Sequence, residues 1–321
     1  MGPHIIAKID TERRRRRRAT SDTTKRDGDR HRERDREAMK DTTRMHSNGP
    51  GLGTAKGICW LLLLQVVLAA PPAPQADIQG RIIGGQRAAA GQFPWQVILK
   101  RDEWDDLLCG GSIISNTWVL TAGHCAYGRS SLYLVFGSVE LNPEQAINMT
   151  ATQLFVHPNY NDKMNNDVAL VQLPQQLTFS TSIQPIQLVG SQQASNSYVG
   201  TQATIAGFGL IDDEYLDYSQ ELLYAQVQVI ANDKCLTIFG SNVVLASTMC
   251  AEGYAGSTMS TCSGDSGGPL IVYSSNANGW IQIGINSFVA EDQCTSGYPS
   301  GYVRLTSFLD YIAETTGLTL S

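Results

Sequence analysis

Ser266 lies in a segment whose residue types could support nucleophilic catalysis. The segment Gly264–Pro269 reads Gly-Asp-Ser-Gly-Gly-Pro, with glycines on both sides of the serine. Because glycine has no Cβ, the backbone N–H groups of such a loop can approach a reacting oxyanion closely. Asp265 stands directly before the serine, where its carboxylate could hold the loop in shape. A hexapeptide of this kind is also compatible with a turn in a β-rich protein, so the candidate partners of the serine decide its interpretation.

A serine hydroxyl is a poor nucleophile at neutral pH and needs a base within hydrogen-bond reach. His124, in the segment Thr-Ala-Gly-His-Cys, is the candidate base, and Asp167, in Asn-Asp-Val-Ala-Leu, is the candidate carboxylate. Of the other four histidines, three precede Gly49, and His157 in its Val-His-Pro setting is interpreted as a surface residue. We therefore predict that His124 takes the proton of Ser266.

Four segments together resemble the chymotrypsin family of serine endopeptidases over residues 82–315: Arg81–Gly85, Thr121–Cys125, Asn166–Leu170 and Gly264–Pro269. The chain order His, Asp, Ser is that of this family and differs from the order in subtilisin-like enzymes and α/β-hydrolases. The resemblance implies peptide-bond hydrolysis, with Ser266 as nucleophile, His124 as base and Asp167 as the group that orients the imidazole. It also implies an oxyanion hole formed by the N–H groups of Gly264 and Ser266.

The resemblance extends to the start of the globular part, where Arg81-Ile82 is similar to a zymogen cleavage site. Cleavage there by a trypsin-like protease would create an α-ammonium on Ile82 that could fold inward and pair with Asp265. Removing one partner of a buried ion pair is costly, because the other charge stays buried and unpaired. Formation of such a pair can therefore act as a conformational switch. We therefore expect an inactive precursor that is switched on after Arg81.

Specificity is expected to depend on a pocket beneath the serine, with Ser260 at its base where trypsin-like relatives carry an aspartate. One wall reads Ser287-Phe288-Val289, and Ser300 stands on the opposite wall where a glycine is frequent. Val289 and Ser300 narrow the slot, which resembles elastases and arthropod digestive chymotrypsin relatives. This pattern favours cleavage after small to medium apolar residues, with chymotrypsin-like specificity as the alternative. Ser287 also matches the family serine that steadies the aspartate.

The residues after 81 read as short β runs that alternate in period two and are broken by Gly and Asn, as in barrel or sandwich strands. The resemblance implies an all-β fold of two antiparallel six-stranded Greek-key barrels, about 82–190 and 191–305, with the active site between them. A C-terminal helix is predicted at about 306–316, where Phe308, Tyr311 and Ile312 share a face and Thr306 could cap it.

Charge divides the chain sharply. Residues 1–56 carry 16 Lys+Arg and 9 Asp+Glu, a net of +7, whereas residues 82–321 carry 7 and 20, a net of −13. Residues 1–44 are interpreted as a disordered basic leader that the mature protein does not carry, although six consecutive arginines could also bind nucleic acid or an anionic membrane.

The apolar run 57–70 has 14 residues and ends in small residues, whereas a membrane-spanning helix needs roughly 20. We predict a signal peptide at 45–70, a pro-segment at 71–81 and a protease domain at 82–321. The protein is expected to be extracellular, without stable membrane association. A retained leader would instead make a membrane-tethered protease.

Six cysteines remain after the signal region, and the sequence alone leaves their pairing open. The resemblance selects Cys109–Cys125, Cys235–Cys250 and Cys262–Cys294. A zinc site would need closely spaced Cys or His pairs, which are absent from the sequence, so no metal or cofactor is expected. Asn148 begins an N-glycosylation signal, Asn-Met-Thr.

The expected partners are protein or peptide substrates, an activating protease and proteinaceous protease inhibitors. Nucleic acid is not expected among them, and the protein is expected to be a monomer. A non-catalytic binding homologue is the contrasting class, but such proteins usually lose a member of the triad and this chain retains all three residues.

Overall fold

The computed structural model describes residues 85–211, 217–290 and 293–320, all within one structural unit, Ile78–Ser321. The predicted leader, signal peptide and pro-segment lie outside the described residues, as do Arg81 and Ile82. Within the described part of the chain, no helix is long and apolar enough to cross a membrane.

Fifteen strands are assigned in the described residues. In chain order they are β1 Gln86–Arg87, β2 Gln96–Lys100, β3 Leu107–Ile113, β4 Trp118–Thr121, β5 Leu132–Phe136, β6 Ile147–Ala151, β7 Gln153–Val156, β8 Ala169–Gln172, β9 Gln187–Leu188, β10 Gln202–Gly207, β11 Leu223–Ile230, β12 Thr248–Gly253, β13 Pro269–Ser274, β14 Gly279–Phe288 and β15 Ser300–Arg304. All pairings are antiparallel except that of β9 with β14.

The first sheet has the order β6-β5-β2-β3-β4-β8-β7. Only Thr152 separates β6 from β7, so these two pieces are one bent strand that pairs with β5 at one end and β8 at the other. Counted this way, six strands curl around a shared interior. That interior is filled by apolar side chains such as Leu99, Leu120 and Leu170, all fully buried.

The second sheet runs β1-β11-β10-β13-β14-β15-β12, and β11 also pairs with β12, which closes the six strands β10–β15 into a barrel. The predicted all-β, two-barrel fold is therefore confirmed. The predicted boundary near residue 190 differs in detail, because β1 and β9 both precede it and yet pair with strands of the second sheet. The barrels are joined by a buried hydrogen bond from Ser112 Oγ to Gln282 Oε1, 2.7 Å long.

Three α-helices lie in the described residues: α1 Gly123–Ala126, α2 Asn232–Phe239 and α3 Leu309–Thr316. The C-terminal helix begins later than the predicted residue 306, because Leu305–Ser307 forms a separate 3₁₀ turn anchored by the fully buried Leu305. The predicted cap by Thr306 is wrong, since Phe308 occupies the N-cap position and no side chain caps the helix. The helix ends at Gly317, which has a φ of 73°.

Candidate active site

His124 and Asp167 meet at the mouth of the first barrel. His124 lies on the single turn α1, and Asp167 precedes β8, which pairs with the strand leading into α1. The imidazole Nδ1 is 2.9 Å from Asp167 Oδ2, and the backbone N–H of His124 donates to Asp167 Oδ1 at 2.8 Å. Both carboxylate oxygens are thus engaged by one residue, which fixes the imidazole relative to the backbone.

Ser287 brings the second barrel to the same carboxylate. Its Oγ donates to Asp167 Oδ2 at 2.6 Å, and Asp167 has no exposed surface. Burial lowers the pKa of His124, but the Asp167 carboxylate and its hydrogen bond raise it by more, so the net pKa lies above the ordinary 6.5. The imidazole is therefore a stronger base than free histidine, as a group that must accept a serine proton requires.

Ser266 lies in the loop between β12 and β13, and this loop contacts β3 and the turn α1. The carbonyl oxygen of Ser266 accepts the N–H of Gly110 at 2.7 Å and lies 3.7 Å from Cys125 Sγ. Gly264 and Gly267 have φ values of 100° and 81°, a region that favours glycine. A Cβ on Gly264 would also lie 2.8 Å from Leu107 Cδ2. The loop conformation therefore depends on these glycines.

Asp265 is buried beneath the serine loop, where two backbone N–H groups bind its carboxylate. Gly209 donates to Oδ1 at 2.8 Å and Cys262 to Oδ2 at 2.9 Å. Burial raises the pKa of Asp265 to about 6 despite these two hydrogen bonds, which lower it. Within the described residues Asp265 forms no ion pair. The carboxylate is thus placed where a cation would relieve the cost of burying its charge.

Of the predicted pocket residues, Ser260 and Ser300 are in direct contact. Ser260 Oγ lies 2.7 Å from Ser300 Oγ and also donates to the Thr261 carbonyl at 3.0 Å, and both serines are buried. Val289 packs against the Cys262–Cys294 disulfide and Leu210.

Phe288 is directed toward Gly301, which faces it across β14 and β15, and its ring lies 5.0 Å from that of Phe239. Ser287 points to Asp167 instead of into the pocket. The Ser260–Ser300 contact thus joins two neutral hydroxyls and contains no charged group.

Disulfides join Cys109–Cys125, Cys235–Cys250 and Cys262–Cys294, the pairs that the resemblance implied. Among the described residues, one cluster of potential metal ligands is found, Cys109, His124 and Cys125. The two sulfurs of this cluster are joined in a disulfide, so they are not thiolate ligands. Asn148 lies on β6 and is exposed, as a glycosylation acceptor must be.

Two residues at the site were missed by the sequence interpretation. Tyr160 packs beside the His124–Asp167 pair. A Cβ at position 123 would lie 3.0 Å from Tyr160 Cδ2, so a residue larger than glycine there would require a shift. Asn286 is 1% exposed and contacts the serine loop from β14. A polar residue in a run of apolar ones, Ile283-Gly284-Ile285-Asn286, was the available signal for the second.

Comparison with known proteins gives matches that agree with this geometry. The family model described as Trypsin matches residues 82–312, a span that contains His124, Asp167 and Ser266. A collagenase of Hypoderma lineatum is 36% identical over 246 residues, which cover 75% of this chain and 89% of that protein. Brachyurin of Leptuca pugilator is 36% identical over 241 residues, which cover 74% of this chain and 100% of brachyurin. The 1.7 Å structure of HL collagenase aligns with a TM-score of 0.63 and 34% identity, over 73% of this chain and 98% of that one.

Proposed function

Because the chain belongs to the trypsin family of serine proteases, with the chymotrypsin two-barrel fold, we propose that it is a secreted endopeptidase made as an inactive precursor. The observation that carries this proposal is the network in which Asp167 binds both His124 and Ser287 while the Ser266 loop packs against the histidine turn. Its substrates are proteins or peptides, and its chemistry uses no cofactor.

In the proposed mechanism, Ser266 Oγ attacks the carbonyl carbon of the scissile peptide bond. His124 accepts the hydroxyl proton and later delivers it to the leaving amine, so the proton is conserved within the site. Asp167 holds Nδ1 protonated, which leaves Nε2 free to act as the base, and stabilises the imidazolium while it exists. Water then attacks the acyl-enzyme by the same route and releases the acid.

The negative charge that develops on the carbonyl oxygen requires donors that are already in place. The N–H groups of Gly264 and Ser266 are proposed to supply them, because both belong to the glycine-supported loop and both lie beside the nucleophile. Fixed donors of this kind need no reorganisation when the charge appears. The orientation of the Ser266 N–H is that of the Asp265–Ser266 peptide plane, to which it belongs.

Cleavage after Arg81 is proposed to complete the site through Asp265. The new α-ammonium of Ile82 would bind the buried carboxylate, whose pKa of about 6 records the cost of its burial. Pairing would favour the charged carboxylate and fix the loop that carries Gly264 and Ser266. An activating protease that cleaves after arginine and inhibitors that occupy the cleft are the corresponding partners, and the protein acts as a monomer.

The pocket is proposed to accept small to medium apolar side chains, namely Ala, Val, Leu or Met, with Phe and Tyr accepted less well. A Lys or Arg side chain would bury its cation against the neutral Ser260–Ser300 pair without a counter-charge.

Val289→Gly removes side-chain volume beside the Cys262–Cys294 disulfide and should raise kcat/KM for Phe relative to Ala. Peptide-library profiling of wild type and variant measures this ratio, and dominant cleavage after Arg or Lys by the wild type would refute the pocket assignment. Native collagen belongs among the substrates tested, since one similar protein is a collagenase.

The triad assignment is tested by two variants with matched controls. Ser266→Ala should abolish turnover and labelling by a serine-directed phosphonate while the protein stays folded, and His124→Ala should do likewise because the hydroxyl loses its base. Ser275→Ala, in the exposed turn after β13, and His157→Ala, just after β7 and outside the triad, should keep wild-type kcat. More than a few per cent of wild-type kcat in either triad variant would show that the assignment is wrong. An inactive wild type after cleavage would favour a binding homologue.

Secretion is proposed from the signal-like segment 45–70 and is tested by sequencing the N-terminus of the protein released from cells. An N-terminus at 71 or 82 agrees with removal of the signal peptide or pro-segment, whereas a retained leader favours the tethered alternative. Glycosidase treatment of the same product tests whether Asn148 carries a glycan.

A further inference from the structure

Asn286 is joined to the serine loop by three hydrogen bonds. Its side-chain Nδ2 donates to the carbonyl oxygen of Asp265 at 2.9 Å. Its backbone N–H donates to the Gly268 carbonyl at 2.9 Å, and its own carbonyl accepts the N–H of Gly267 at 2.8 Å. The residue is 1% exposed and lies on β14 directly before Ser287. One strand position thus fixes the loop on both sides of Ser266.

The side-chain hydrogen bond acts on a peptide group that the proposed mechanism uses. The carbonyl of Asp265 and the N–H of Ser266 belong to the same planar peptide unit, so fixing the direction of the C=O fixes the direction of the N–H. This carbonyl also accepts the N–H of Gly268 at 3.1 Å. Two donors on one carbonyl oxygen polarise the peptide and strengthen its N–H as a donor.

From this geometry we propose that Asn286 is a positioning residue that orients and polarises the Ser266 N–H toward the oxyanion, an inference that rests on the proposed function. A role in stability alone does not explain why residue 286 is an asparagine. Asn286 Oδ1 is buried and has no partner among the described residues, which is destabilising relative to an apolar side chain of similar size. The hydrogen bond from Nδ2 to the Asp265 carbonyl therefore explains the amide at this position.

The test compares Asn286→Leu and Asn286→Val with Gln282→Leu in the activated, full protease domain. Gln282 is a matched control because it is also a buried amide on β14, but its hydrogen bonds go to Ser112 and to the Gly284 carbonyl. Each protein is titrated for active sites, and kcat, KM and the affinity of a peptide aldehyde are then measured. The aldehyde forms a tetrahedral adduct with Ser266 whose oxygen occupies the oxyanion hole.

The Asn286 variants should lose about tenfold in kcat, less than the 10²–10³-fold that removal of a whole oxyanion donor typically costs. KM should stay within about twofold, and aldehyde affinity should fall in proportion to kcat/KM. Gln282→Leu should lose thermal stability but keep kcat. Unchanged kcat in folded Asn286 variants, or a rise in KM with unchanged kcat, overturns the inference while leaving the proposed function intact.

An activated wild type that hydrolyses no peptide overturns the proposed function itself, and that result is obtained before any variant is compared. If neither Asn286 variant folds, the crystal structure of wild type with the aldehyde decides. Ser266 N must then donate to the adduct oxygen while Asn286 Nδ2 still binds the Asp265 carbonyl. Loss of either contact overturns the inference.

Discussion

Two buried aspartates flank the candidate chemistry, and their surroundings give them different roles. Asp167 is bound by the imidazole of His124, which can carry a positive charge, and by the hydroxyl of Ser287. Asp265 is bound only by backbone N–H groups within the described residues, and burial raises its pKa to about 6. The first carboxylate therefore has its cation partner within the fold, whereas the second gains one only if the N-terminus of a cleaved chain reaches it.

Asp265→Asn should change how the stability of the uncut precursor depends on pH. Because the pKa of Asp265 is raised from 3.8 to about 6, the folded chain binds more protons than the unfolded chain between those values. This carboxyl therefore favours folding below its unfolded pKa, and that contribution, about 3 kcal/mol, is lost as pH rises through its folded pKa. Urea unfolding should show that the free energy of unfolding falls less between about pH 4 and about pH 7.5 in the variant than in the wild type. Equal pH dependence in both proteins would contradict the raised pKa.

Among the elements, α3 connects the end of the chain back to the first barrel. Tyr311 OH donates to the carbonyl of Phe155 on β7 at 2.8 Å. The ring of His157, just after β7, packs edge-on against Tyr311 and Phe308, at 4.7 and 5.4 Å between ring centres. His157 was interpreted as a surface residue, yet it is half-buried in this contact. The helix thus stabilises the pairing of the two barrels from outside the cleft.

Tyr311→Phe should lower the free energy of unfolding by about 1 kcal/mol or more, since it removes the hydroxyl that donates to Phe155 and also bonds Thr315, and keeps the ring. The kcat of the activated protein should not change, because the contacts described for Tyr311 are with Phe155 and His157, which lie outside the proposed triad. Tyr273→Phe is the control, as its ring is 60% exposed. Denaturant unfolding followed by fluorescence gives the comparison, and a change in kcat without a change in stability would contradict this role.

Sequence patterns predicted the elements that rest on local chemistry better than those set by tertiary contacts. The motifs around His124 and Asp167 predicted two residues that the structure places in contact, and the glycines of the Ser266 motif adopt the positive φ values that only such a loop needs. Apolar and polar residues alternate along β14, a pattern typical of a strand with one face exposed to solvent. Gln282 and Asn286 are nevertheless buried, because both faces of β14 are covered. The pairing of β1 with β11 was likewise not predictable, since β1 has only two residues and its sequence is too short to specify a partner strand.

At the scale of the whole molecule, the charge distribution bears on activation. Only 7 Lys+Arg follow Arg81 in the sequence, against 20 Asp+Glu. Of these basic residues Lys100 is buried, whereas the side chains of Arg87 and Lys234 are 59% and 56% exposed despite their salt bridges. A protease that cleaves after Lys or Arg therefore has only seven candidate sites in residues 82–321.

Arg81→Gln should yield a folded precursor that trypsin cannot activate. Without cleavage Ile82 keeps its peptide bond to residue 81, so no α-ammonium forms and the buried Asp265 carboxylate gains no cation. The serine loop then lacks the ion pair proposed to fix its oxyanion donors. Arg87→Gln is the matched control, since it removes a neighbouring arginine whose exposed salt bridge with Glu221 contributes little to stability. Trypsin treatment followed by N-terminal sequencing and a peptide assay separates the two variants. The control should start at Ile82 and be active, while full activity from uncut Arg81→Gln would show that the loop is ordered without the ammonium.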